Sequence, residues 1–253
     1  MSKGVLVYGH AKTGKSELVA GISKSEKIKR IYWFDLENSA ELLTKLPENL
    51  LSKFTIFKIP DSVFSPRGFE TMIKVLGKPA SLQICKHHGK VGCSICKTDI
   101  ILFKLDDLTD SDLVVIDSGS QLANSTINYA RLGESIEEKT SQDQYGEAFR
   151  FLTLMFQQIQ YYSARTNMVV IAHVYEVEER NRKRELIATH IYPMVGTKPF
   201  SMGAGKFFGH VIYCEKEGKS HKFSSNSTSK EDTLIGSRLN FDITKNSIEE
   251  LFK

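Results

Sequence analysis

Long apolar runs are missing from this chain. No stretch approaches the roughly 20 consecutive apolar residues that a membrane-crossing helix needs, so no such span and no membrane partner is expected. An excess of one charge is missing too: 34 Lys and Arg face 30 Asp and Glu, a formal net charge of +4. That bias is too weak to argue for a polyanionic partner; a local basic cluster would carry more weight. Cysteine is scarce, at four residues, three of them between positions 85 and 96. Such crowding is unlike a secreted disulfide framework and more like a metal or catalytic cluster in a reducing compartment. There is no internal repeat and no long low-complexity segment, although "SSNSTSKED" (224–232) reads as a flexible loop. The opening "MSKGVLVYGH" enters a strand pattern at once, so no signal peptide is expected and the expected location is the cytoplasm.

The apolar fraction of 41% and the charged fraction of 25% are ordinary globular values, and 253 residues suit a single domain (1–253) with a small insertion. Short buried-strand patterns fall at 4–9, 30–35, 54–59, 112–117, 167–173 and 207–214, with helical patterns at 15–24, 38–46, 67–76 and 143–165. Their alternation predicts an α/β fold with a mainly parallel sheet and helices on both faces. Two stretches interrupt the rhythm, 77–99 and 174–205, the second far longer than an ordinary connection. The tail, 219–253, reads as β-rich.

"VLVYGHAKTGKSELV" contains Gly9-x4-Gly14-Lys15-Ser16, the P-loop pattern, between a strand pattern and a helix pattern as that loop requires. Backbone N–H groups across His10, Ala11, Lys12, Thr13, Gly14, Lys15 and Ser16, with the helix start at Glu17, would face the phosphates. Lys15 would reach the β- and γ-phosphates of ATP, and Ser16 would hold Mg2+. "LVVIDS" delivers Asp117 at a strand end as the second Mg2+ group. "IYWFDLENS" delivers Asp35 and Glu37 at the sheet's C-terminal edge, where open α/β sheets bind ligands. Glu37 there could deprotonate a water facing the γ-phosphate, or it could cap a helix starting near Asn38.

"CKHHGKVGCSIC" offers Cys85, His88, Cys93 and Cys96 as a tetrahedral Zn2+ set, with His87 as a substitute for His88. Such a metal would be structural, because all four ligands are protein groups. "HVYEVEERNRKRELIATHIYP" alternates on both sides of "RNRKR", predicting a β-hairpin with Arg180, Arg182, Lys183 and Arg184 at its tip. Those cations suit phosphate contacts; the alternative is a solvated turn neutralised by Glu176, Glu178, Glu179 and Glu185.

With the P-loop, "FDLENS", "LVVIDS" and "VVIAH" in hand, the chain resembles RecA-like P-loop ATPases, most closely compact phage proteins of ATP-dependent single-strand annealing and recombination. The resemblance implies a RecA-like core, ATP hydrolysis stimulated by DNA, Glu37 as catalytic base and His173 as γ-phosphate sensor. It implies single-stranded DNA as partner, contacted in two loops: the stretch 129–146, and the segment 174–205 with Lys206 beyond it. It further implies a homo-oligomer in which a basic residue, Arg238 or its rival Lys206, enters the neighbour's nucleotide site. A single-strand binding protein would be a further partner, and the host cytoplasm the location of a phage-encoded chain. Only three residues precede the first strand, so the polymerising segment of such recombinases is not expected; a ring or shorter assembly remains. Two rival readings are a nucleotide or small-molecule kinase, with "RNRKR" as its lid, and an ATPase module of a replication or packaging assembly.

Overall fold

The computed structural model describes residues 3–77, 81–96, 99–135, 137–181, 183–225, 232–237, 242–243 and 247–252. Of the twelve strands among the described residues, ten organise the fold: β1 (Gly4–Gly9), β2 (Arg30–Asp35), β3 (Phe54–Lys58), β4 (Leu82–Cys85), β5 (Ile100–Phe103), β6 (Asp112–Asp117), β7 (Asn167–Arg180), β8 (Leu186–Met194), β9 (His210–Glu217) and β10 (Ser220–Ser224). The main sheet runs β10-β9-β1-β7-β6-β2-β3. Along that order every pairing is parallel except β10 against β9.

Strand β1 shows why this sheet has two covered faces. All six of its residues are buried, as a strand sandwiched between helical layers must be. Successive side chains alternate in direction. Leu6 and Tyr8 therefore enter one core with Phe34, Phe57 and Phe156, while Val5 and Val7 enter the other with Trp33, Val115 and Ile212. The short helix α1 (Lys15–Ala20) and the C-terminal 3-10 turn Ile248–Phe252 cover the second face. After the one-turn α2 (Glu48–Leu51), helices α3 (Arg67–Gly77), α4 (Gly119–Ala130) and α5 (Gln142–Tyr162) pack on the first, followed by α6 (Lys198–Gly203). Each large apolar side chain so buried stabilises the fold by about 1.5–3 kcal/mol.

Two element expectations are corrected, and one helix was not expected. The helix expected over 38–46 is a 3-10 turn, Ala40–Lys45, because Asp35 accepts from the Ser39 and Ala40 amides and tightens the chain. The strand expected from 207 starts at His210, since Ala204–Phe207 winds as 3-10 to bury Phe207 and Phe208. Helix α4 (Gly119–Ala130) buries Ser120, Ser125 and Thr126 beside Leu122 and Ala123, so hydroxyl residues share its core face with apolar ones. Their hydroxyls are satisfied: Ser120 donates to Met194 O, Thr126 donates to Leu122 O, and Ser125 accepts from Phe69 N.

Beyond the sheet's C-terminal edge, β7 continues and pairs antiparallel with β8, from His173 opposite Met194 to Arg180 opposite Leu186. The β4–β5 ribbon sits beside edge strand β3, tied by Lys58 N donating to Lys86 O.

Candidate functional site

The P-loop lies where β1 leaves the sheet between β7 and β9. A Cβ on Gly9 would fall 2.1 Å from Cys214 O, so the chain can turn here only without a side chain. Gly14 closes the loop at φ 81°, the left-handed region that glycine enters freely, and α1 begins at Lys15. Lys15 is buried, and its Nζ donates to Gly9 O at 3.0 Å and His10 O at 2.6 Å. Burial lowers its pKa, opposed by Cys214, Glu37 and Asp117. Thr13 Oγ1 donates to His10 O, and His10 Nε2 lies 3.1 Å from Glu176 Oε1 on β7.

Three carboxylates converge from strand ends on this loop. Asp117 Oδ2 accepts from Ser16 Oγ at 3.1 Å and from Ser39 Oγ at 2.9 Å. Burial pushes its pKa up to about 6, with Glu37 and Asp35 adding to the rise and the two hydroxyls working against it. Asp35 accepts backbone N–H groups and thereby serves as the cap of the following turn. Glu37 is not that cap: His173 Nε2 lies 3.1 and 3.2 Å from its two oxygens, and Ser118 Oγ donates to Oε1. Burial alone would raise the Glu37 pKa, but the bonds from His173 and Ser118 and the charges of His173 and Lys15 outweigh it. Glu37 is therefore held ionised as an acceptor. A cleft of about 350 Å3 joins residues 11–17 to Glu37, Ser39, Asp117, Ser118 and His173. The Ser16 hydroxyl and Asp117 carboxylate form a hard oxygen donor set, which fits Mg2+.

The second cluster is compact. His88 Nδ1 lies 3.6 Å from Cys85 Sγ, 3.8 Å from Cys93 Sγ and 3.3 Å from Cys96 Sγ. Tetrahedral Zn2+ with ordinary bond lengths separates its S and N ligands by about 3.6 Å, so the set fits zinc. His87 is engaged elsewhere, with Nε2 3.1 Å from Asp99. The knuckle docks on the core at Gly89, where a Cβ would fall 2.2 Å from Ile59 Cγ1, and Gly89 O accepts from Thr71 Oγ1.

The hairpin as a whole is mixed in charge. Arg180 pairs with Glu178 at 2.5 Å and donates to Arg184 O; Arg184 itself takes φ 66° in the turn. Glu176, Glu178, Glu179 and Glu185 balance Arg180, Arg182, Lys183 and Arg184, so the stem is acidic and the tip basic. Lys206 stands 5.0 Å from the Phe207 ring and does not line the nucleotide cleft. Arg182 and Arg238 lie outside the described residues.

A family model described as "AAA domain" matches residues 1–202. The chain belongs to the AAA domain family. It is a P-loop ATPase by family, and its mainly parallel sheet agrees with that. Among solved structures, one titled "Crystal structure of the RadB recombinase" is similar at a TM-score of 0.43 and 16% identity, covering 86% of this chain and 76% of that one. No curated protein matches.

Sequence reasoning passed over Ser39, Ser118 and Ser120, which position the carboxylates and the His173 backbone. "ENS" and "DSGS" place hydroxyls beside the acidic strand ends, and that adjacency was the available signal.

Proposed function

We propose that this AAA domain chain hydrolyses ATP to ADP and phosphate and couples the cycle to binding single-stranded DNA in annealing or recombination. The observation that carries the reading is the Glu37–His173 pair at the mouth of the P-loop. His173 closes the core part of β7, and the same strand runs on to the basic hairpin tip.

The phosphates would lie against the loop amides and the start of α1, where backbone N–H groups favour anions. Lys15 would exchange the carbonyls of Gly9 and His10 for β- and γ-phosphate oxygens. Ser16 and Asp117 would hold Mg2+, which supplies charge neutralisation on the phosphates. Glu37 orients a water and takes its proton as the water oxygen bonds to the γ-phosphorus and the bond to the β-phosphate oxygen breaks. His173 links that event to the hairpin. Its Nε2 bonds Glu37, its backbone N donates to Ser120 Oγ, and it pairs with Met194 at the hairpin base. Arg180, Arg182, Lys183 and Arg184 at the tip, with Lys206, would meet the DNA phosphates. The zinc set Cys85, His88, Cys93 and Cys96 would serve structure alone. A homo-oligomer in which Arg238 or Lys206 reaches a neighbour's cleft belongs to the same reading.

ATP hydrolysis measured with and without an oligonucleotide tests it. Stimulation by DNA that disappears in Glu37→Gln supports the reading, and phosphate transfer to a nucleoside monophosphate overturns it.

A further inference from the structure

The Cys/His knuckle carries more than its metal ligands. It stands at one end of the β4–β5 ribbon, where Lys58 N, at the end of β3, donates to Lys86 O, and Cys85 N donates to Lys90 O. Lys58 lies opposite Asp35 of β2, which in turn lies opposite Asp117 of β6. The knuckle therefore shares the sheet edge that carries the nucleotide cleft and the base of the β7–β8 hairpin. Two strands, β6 and β2, separate β7 from β3. At about 4.8 Å per strand spacing, those strand ends lie roughly 14 Å apart.

Three cations cluster at this corner. Lys58 and Lys90 are exposed and Lys86 is half-buried. Among the described residues none of the three has a carboxylate partner, for Asp99 is held by His87 and Asp107 by Lys104. Ile95, between the ligands Cys93 and Cys96, is 78% exposed, more than any other large apolar side chain among the described residues. Metal binding fixes the number of residues between two cysteines, not their type, so the zinc set does not account for an isoleucine held in water here. A single exposed apolar residue is ordinary; this one stands among unpaired lysines on a loop that metal would make rigid.

We infer that the knuckle is a second contact for single-stranded nucleic acid: Lys58, Lys86 and Lys90 meet backbone phosphates while Ile95 packs against a base. A single strand presents phosphates and flat apolar base faces side by side, and this corner offers a complement to each within a few residues. The metal would hold the loop in shape, and the loop's other side chains would bind. The inference rests on the DNA reading of the hairpin and gives the insertion a part in it.

Fluorescence anisotropy of a labelled oligothymidylate with the full, zinc-loaded chain, titrated at several salt concentrations, tests it. Lys86→Ala with Lys90→Ala should weaken binding about tenfold at low salt and flatten the slope of log affinity against log salt by about 1.4, since each single-strand phosphate contact contributes about 0.7. Ile95→Ser should weaken binding severalfold and leave the slope unchanged. Lys86→Arg with Lys90→Arg should bind as the wild type does, and metal analysis should find wild-type zinc content in all these chains. Unchanged affinity and slope in the Ala pair, or an equal loss in the Ala and Arg pairs, overturns the knuckle contact. If Ala at Arg180, Lys183 and Arg184 still weakens binding, the hairpin reading stands without it. A wild-type chain that binds no oligonucleotide overturns both.

Discussion

Asp117 stores a cost that its ligand can relieve. Its folded pKa, about 6, lies above the ordinary aspartate value of 3.8, chiefly through burial. A raised carboxyl pKa adds stability below the unfolded value, and that contribution is lost as pH rises through the folded value. The ionised group thus costs on the order of 3 kcal/mol near pH 7 in the nucleotide-free chain. Asp117→Asn should raise the melting temperature at pH 7, while little or no gain is expected at pH 4, and Mg2+-dependent ATP binding should be lost. Thermal melts at the two pH values check this. Glu37 behaves oppositely, since His173 and Ser118 hold its pKa down. Removing the imidazole in His173→Ala should move the acid limb of the kcat profile to higher pH, a shift that a purely structural histidine would not cause. Glu37→Gln should lower kcat at least about 100-fold with ATP affinity retained, as for loss of a general base.

At the scale of elements, the strand ends do the positioning. Gly9→Ala would drive a methyl group into Cys214 O at the junction of β1 and β9. An overpacked interior costs about 1–3 kcal/mol, and here the methyl meets a backbone carbonyl that cannot swing aside, so a loss at the upper end or beyond is expected in denaturant melts. Metal removal acts on another element. Chelation, or Cys96→Ser, should release zinc and lower the melting temperature by about 5 °C or more, because among the described residues 81–96 only Ile84, Cys85, Gly89 and Cys93 are buried to order the polar knuckle without metal. The core strands were legible because parallel strands buried on both faces read as unbroken apolar runs, as in "GVLVYG" and "DLVVID". Helix α4 was hidden, since its buried face mixes Ser120, Ser125 and Thr126 with Leu122 and Ala123, and the partners of Ser120 and Ser125 lie far away in sequence. The P-loop, Glu37 and Asp117 were visible as motifs. His221, over Gly14 in the same cleft, was not, because its place follows from a hairpin return that local periodicity does not encode.

At the scale of the whole molecule, β7 is the connecting part. One end is a buried central strand, the other a solvent-facing hairpin, and His173 stands at the change. The hairpin's four carboxylates offset its four cations, so the hairpin's attraction to a polyanion would come from its tip alone and be steeply screened by salt. Replacing Arg180, Lys183 and Arg184 together by Ala should weaken oligonucleotide binding and flatten its dependence on salt. Steady-state ATP hydrolysis by the wild type and His173→Ala, with and without single-stranded DNA, tests the central claim most directly. The account predicts that DNA accelerates the wild type and leaves the variant at its basal rate. An equal stimulation of both, or none in either, would contradict it.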